Sequence, residues 1–155
     1  MQIFVDADSN PNAVKEILFR AVERTGTPLF LVANQPLKVP LSAHIRSITV
    51  PAGPDEADDR IVELVREGDL VVTADIPLAD RVIRKGGRVI GPRGELYSAE
   101  NIKERLAIRD LMDELRSIGM DTGGPAVFSL KDRRAFANQL DRLLTKEGAN
   151  PGWRV

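Results

Sequence analysis

Ile3-Phe4-Val5-Asp6-Ala7-Asp8 is an apolar run that ends in two carboxylates one residue apart, and Asn10-Pro11 follows it at once. Beyond Pro11, the apolar residues Val14, Ile17, Leu18, Ala21 and Val22 recur at helical spacing, and Gly26 stops them. A second apolar run, Leu29-Phe30-Leu31-Val32, comes next. Strand, helix and strand within about 30 residues form the unit that makes a parallel sheet.

The rhythm continues through Ile45 to Val50, Leu70-Val71-Val72 and Arg88-Val89-Ile90. These five runs predict an α/β fold with a mostly parallel central sheet of about five strands. A helix opening near Asp55 carries Ile61, Leu64 and Val65 inward and ends at Gly68. A shorter one follows Asp75, with Pro77 in its first turn, and ends at Gly86-Gly87. After Pro92-Arg93-Gly94 only helical patterns remain: one from Ser98 to about Ser117 with Ile102, Leu106, Leu111 and Leu115 on one side, and one capped by Ser129 and Asp132 that carries Phe136, Leu140, Leu143 and Leu144. The irregular segments are Asn34 to Ser42 and the glycine-rich loop Gly119 to Pro125.

With 155 residues and 43% hydrophobic content, the chain suits one domain, expected over residues 1–146, with a flexible tail at 147–155 that holds Trp153. A net charge of −1 sets up no global field toward nucleic acid or an anionic membrane. Cysteine is absent, which excludes disulfides, thiol catalysis and thiolate metal sites, so any metal must be held by oxygen. No apolar run reaches the roughly 18 to 20 residues of a spanning helix, and no basic segment leads into an apolar one near residue 1, so no membrane association and a cytoplasmic location are expected.

In an open parallel sheet the loops at the carboxyl ends of the strands converge on one edge, and ligands bind there. Asp6 and Asp8 follow the first strand, Asp75 follows the strand ending at Thr73, and Asp55, Asp58 and Asp59 open the helix between. Several anions in one place call for a cation, and hard ions such as Mg²⁺ or Mn²⁺ prefer carboxylates and water. Helix capping competes as an explanation: Asp55 with Asp58 as a reciprocal pair, Asp75 before Pro77, and Asp8 before the first helix. Asp6 has no such role. An aspartyl phosphatase of the haloacid dehalogenase type also opens on an Asp-x-Asp after a strand, with Thr73 as its later hydroxyl, but it places a flap where a helix starts here.

Val5-Asp6-Ala7-Asp8, Asn10-Pro11, Ala33-Asn34, Asp55-x-Ala57-Asp58, the block Gly68 to Ala79, Pro92-Arg93-Gly94-Glu95 and Phe136-Ala137-Asn138 together resemble the YaiI/YqxD family of uncharacterised bacterial proteins. That family is grouped with PIN-like nucleases. The resemblance implies a three-layer PIN-like fold with a helical C-terminal part. It also implies an acidic site in which Asp6, Asp58 and Asp75, with Asp8 as an additional acid, hold one or two Mg²⁺ or Mn²⁺ ions for phosphodiester hydrolysis on RNA or DNA. Arg93, Asn34 and Thr73 are the residues expected to meet substrate. A catalytically silent module that binds nucleic acid or protein is the alternative. Where the family usually carries Cys before the first proline, Ser9 stands here, so any shared activity rests on the acids.

Overall fold

The computed structural model describes residues 1–123 and 127–147; Trp153 and the expected tail from residue 148 onward lie outside them. The strands are β1 (Ile3–Asp6), β2 (Leu29–Ala33), β3 (Ile45–Thr49), β4 (Leu70–Val72), β5 (Arg88–Ile90) and β6 (Leu96–Tyr97). The helices are α1 (Asn12–Thr25), α2 (Glu56–Leu64), α3 (Ile76–Arg84), α4 (Ile102–Ser117) and α5 (Leu130–Glu147), with a 3-10 turn at Ala7–Ser9. They build an α/β fold around one sheet of order β3-β2-β1-β4-β5-β6. The first five of these strands are parallel, and β6 pairs antiparallel with β5. The sheet therefore has six strands, not the expected five, because two residues in β6 are too few for periodicity to register.

Every residue of β1, β2 and β4 is buried, as strands covered on both faces must be. Ile3 and Val5 face one apolar cluster, with Val14, Leu18 and Val22 of α1 and Phe136, Leu140 and Leu144 of α5. Phe4 faces the other, with Ile61 of α2, Leu78 and Val82 of α3, and Ile102 of α4. There Phe4 stacks on Phe30, ring centroids 5.2 Å apart. Side chains such as Phe136 and Leu140, both fully buried, each contribute about 1.5 to 3 kcal/mol.

Gly26 ends α1 in the left-handed region, at φ 71°, and its N–H bonds the Val22 carbonyl. At the opposite edge of the sheet from the acids, the buried Asp69 accepts from the backbone N–H groups of Gln2 and Arg66, which locks the start of β1 to the approach to β4.

The chain steps outward from β1 through β2 to β3, then returns through α2 to β4 on the other side of β1. The direction of winding reverses between β1 and β4. A crevice opens at such a reversal, outside the carboxyl ends of the strands.

The last two helices depart from their sequence reading. Ile102 is the one buried residue of α4, and Leu111 is exposed. Nine residues separate them, which at 100° per residue puts them on opposite sides of the helix. On α5 the Ser129 and Asp132 capping exchange is present: each backbone N–H bonds the other's side-chain oxygen, at 2.9 and 3.1 Å. The Asp132 carboxyl, held below its ordinary range chiefly by the Ser129 backbone N–H, also pairs with Arg93 at 2.9 Å. This brings the turn after β5 against α5. Gly94 there has φ 86°, and a Cβ would stand 2.7 Å from the Ala135 carbonyl, so glycine is required on two counts.

Candidate functional site

Three segments bring carboxylates to the crevice between β1 and β4. Asp6 is the last residue of β1 and is 7% exposed. Asp75 follows β4, and Asp58 rides in the first turn of α2, the crossover between the two halves of the sheet.

Around Asp6 the chain arranges its donors on one oxygen. The Ser9 hydroxyl, placed by the 3-10 turn, donates to Oδ2 at 2.7 Å, and the buried Thr73 hydroxyl points to the same oxygen at 3.5 Å. The Asn10 amide donates to the carbonyls of Asp6 at 2.7 Å and Val72 at 3.2 Å, which pins the ends of β1 and β4 together. Its own Oδ1 is buried without a hydrogen-bond partner among the described residues. Such an orphan acceptor is uncommon in a folded interior and marks a place where a donor or a cation would be welcome.

Asp75 combines two roles. Its Oδ1 accepts from the Leu78 N–H at 2.9 Å, so it caps α3 as expected, and its N–H donates to Thr73 Oγ1 at 3.0 Å. Thr73 thus links the backbone of Asp75 to the carboxylate of Asp6.

Asp58 does not cap α2, and Asp55 lies in the left-handed region at φ 66° with no side-chain capping bond. Asp58 instead turns to the other acids. Burial, the charges of Asp75, Asp6 and Asp55, and a hydrogen bond to Asp75 push its carboxyl up to about 7. Asp6 is also raised, first by burial and then by the charges of Asp75 and Asp8, against the opposing bonds from Ser9 and Thr73.

The remaining expected site residues are spread around this centre. Asp8 is exposed and, rather than capping α1, accepts from the Asn34 N–H at 3.0 Å; the cap position of α1 is Pro11. Asn34 therefore meets Asp8 through its backbone. Thr73 is buried with its hydroxyl engaged by the two acids, and Arg93 is engaged by Asp132. Ser9 and Asn10 were not among the expected site residues. Their spacing three and four residues after Asp6 was visible, but the partner carbonyl of Val72 was not.

Among the described residues, no group of three or more His, Cys, Asp or Glu side chains is arranged to hold a metal ion. The acids share an electrostatic environment without forming a three-carboxylate cage.

Residues 4–146 match the family described as uncharacterised bacterial proteins of the YaiI/YqxD type. This chain belongs to that family. Similar relatives include a UPF0178 protein of Thioalkalivibrio sulfidiphilus, 61% identical over 94% of this chain and 99% of its own length. Another, from Hahella chejuensis, is 61% identical over 94% of this chain and 97% of its own, and one from Alkalilimnicola ehrlichii is 59% identical over 94% and 98%. No solved structure matches the chain significantly. The family brings no activity with it, so the chemistry of the crevice has to be argued from its own residues. No helix among the described residues is long and apolar enough to cross a membrane.

Proposed function

We propose that the crevice is the active site of a divalent-metal-dependent nuclease of the PIN-like kind, acting on RNA or DNA. The observation that carries this reading is the coupling of Asp58 to Asp75 and Asp6, three acids from separate segments at the point where the sheet reverses direction. Fold stability gives no reason to push these carboxyls together, and a bound cation does.

The donor set fits Mg²⁺ or Mn²⁺. These ions take one or two carboxylates and keep several waters, so the absence of a three-carboxylate cage is compatible with them. Asp6 and Asp75 would hold the ion, each with one oxygen already fixed by a protein donor, Asp6 Oδ2 by Ser9 and Asp75 Oδ1 by the Leu78 N–H. Asp58 and the exposed Asp8 would complete the acidic rim, and the orphan Oδ1 of Asn10 adds a hard oxygen beside Asp6. When bound, the metal supplies Lewis acidity toward water and phosphate oxygens. Ser9 and Thr73 keep Asp6 in one orientation, and Asp58, near half-protonated at neutral pH, can accept a proton within the crevice.

A second reading, a nuclease-like scaffold that binds without turnover, draws support from the missing cage. The two separate on experiment. Mn²⁺ binding should be measured by EPR on the wild type and on Asp6→Asn, Asp75→Asn and Asp58→Asn, with cleavage of labelled single-stranded RNA and DNA followed in Mn²⁺ and in EDTA. The nuclease reading expects binding that weakens at least about tenfold in Asp6→Asn and Asp75→Asn, and cleavage that stops in both. Unchanged Mn²⁺ affinity in these two variants overturns the site, and binding without cleavage of either substrate favours the silent scaffold.

A further inference from the structure

Helices α1 and α5 lie side by side on the face of the sheet that Ile3 and Val5 serve. α1 leads from the carboxyl end of β1 back to the start of β2, and so runs against the strands. α5 does the same: it begins beside Arg93, after β5, and its Leu143 lines a cavity with Gly87 and Arg88 at the start of β5. Between the two helices is a cleft of about 430 Å³. Ile17, Ala21, Ala137 and Leu140 line it with apolar surface, and Arg20, Arg24, Asn138 and Asp141 with polar groups.

Cations dominate the polar side. Asp141 is the one carboxylate that lines the cleft, and Arg24 neutralises it at 2.7 Å. Arg20, one turn before Arg24, is exposed and has no ion pair among the described residues. On α5, Lys131, Arg134, Asn138 and Asp141 follow at spacings of three, four and three, which makes them one stripe. Lys131 and Arg134 are exposed and also without an ion pair among the described residues. The stripe runs about 15 Å by helix rise, from Asp141 to Lys131 at the carboxyl edge of the sheet. On the opposite face, Arg60, Arg81 and Arg84 of α2 and α3 each pair with a carboxylate.

Length and shape choose the occupant. One phosphate ester occupies one point, whereas cations spread over about 15 Å suit a polyanion. A protein partner binds through large side chains seated in pockets, and the cleft offers it two alanines. None of the exposed large apolar residues lines the cleft, which leaves a lipid surface nothing to hold. A gap between neighbouring helices, whose axes lie about 8 to 10 Å apart, admits one strand and not a duplex.

We propose that this cleft binds the sugar-phosphate backbone of a single strand of RNA or DNA, with Arg20, Arg24, Arg134 and Lys131 on its phosphates. The inference rests on the nucleic-acid reading for its choice of polyanion and names where the strand lies. The Lys131 end opens on the edge that carries the acids. Fluorescence anisotropy of labelled oligothymidylate and oligouridylate of about 12 nucleotides, in EDTA, tests it. The wild type should bind at micromolar concentration in about 50 mM salt, with a logarithmic salt slope of about −2 to −3, as three or four phosphates give in a single strand. Arg20→Ala and Arg134→Ala should each weaken binding about fivefold and reduce the slope by about 0.7, with the melting temperature unchanged. Lys103→Ala, which removes the same charge from the exposed part of α4, should change nothing. Asp141→Asn frees Arg24 for phosphate and should tighten binding about threefold. No binding at about 100 µM protein overturns the proposal. So does a loss in Lys103→Ala equal to that in Arg20→Ala, or weaker binding in Asp141→Asn. Displacement by polyglutamate as readily as by unlabelled oligonucleotide assigns the cleft to an acidic peptide and overturns it equally. Because binding is read without metal, absence of cleavage in Mn²⁺ overturns the nuclease reading and leaves this one, while cleavage indifferent to Arg20→Ala and Arg134→Ala does the reverse.

Discussion

Asp58, on the crossover helix, is coupled to Asp75 beyond the neighbouring strand: burial, the charges of Asp75, Asp6 and Asp55 and a hydrogen bond to Asp75 push the Asp58 carboxyl up to about 7. Burial first, and then the charges of Asp75 and Asp6, make a further full negative charge at Asp58 unfavourable.

Stability should therefore depend on pH in a direction opposite to that of a salt-bridged acid. Asp58 titrates near 7 in the folded chain against 3.8 ordinarily, so the folded state keeps a proton that the unfolded state has released. Stability from this group is fully present below the ordinary value, falls as pH rises through about 7, and then levels. Taken whole, the shift corresponds to about 4 kcal/mol; solvent around this partly exposed carboxyl reduces it to about 1 to 2 kcal/mol. Urea denaturation in EDTA should find Asp58→Asn more stable than wild type by that amount at pH 8 and equal to it at pH 4. A variant as pH-sensitive as the wild type would contradict this.

Metal binding should release protons. At pH 7 a cation in the crevice displaces the proton held by Asp58, about half a proton per site, whereas at pH 8.5 little remains to displace. Calorimetric titration of Mn²⁺ in two buffers of different ionisation enthalpy measures the release, and Asp58→Asn should abolish its pH dependence.

The clamp made by Asn10 should matter for stability and for site geometry together. Replacing it with Ala removes both donors that tie the Asp6 and Val72 carbonyls, at a cost of about 1 to 3 kcal/mol in chemical denaturation. Ser9→Ala should be milder, about 1 kcal/mol, because Thr73 still points to Asp6 Oδ2. Neither change in stability would separate these residues from ordinary surface positions if it stayed within about 0.5 kcal/mol.

Gly94→Ala should be costlier than its place in a surface turn suggests. The new Cβ meets the Ala135 backbone and the residue is held at positive φ, so a loss of about 2 kcal/mol or more is expected, read as a lower urea midpoint with unchanged slope.

Much of this fold was legible in the chain because its strands are apolar runs at even intervals and its helices carry clean caps, as at Gly26 and Ser129. Asp6 and Asp75 were legible for the same reason: each ends a recognisable strand. Asp58 is harder. Locally it resembles a capping acid, and only the return of α2 across β1 brings its carboxyl to Asp75. Asn10 was invisible as a clamp, since its second acceptor lies 62 residues away. Leu111 does not share a side of α4 with Ile102 as expected, because nine residues at helical pitch put the two in opposite phase, with Ile102 buried and Leu111 exposed.

The crossover through α2 also sets an order in time. Asp6 and Thr73 meet across 67 positions, and α2 lies between them, so the crevice has no local precursor: β1, α1 and β2 can associate early, while the acids remain strangers until β4 docks beside β1. Contacts this distant in sequence carry the larger loop-closure cost. A nascent chain that has emerged only through α2 carries Asp6 and Asp58 without Asp75, and whatever chemistry the crevice performs begins with the closing of the sheet.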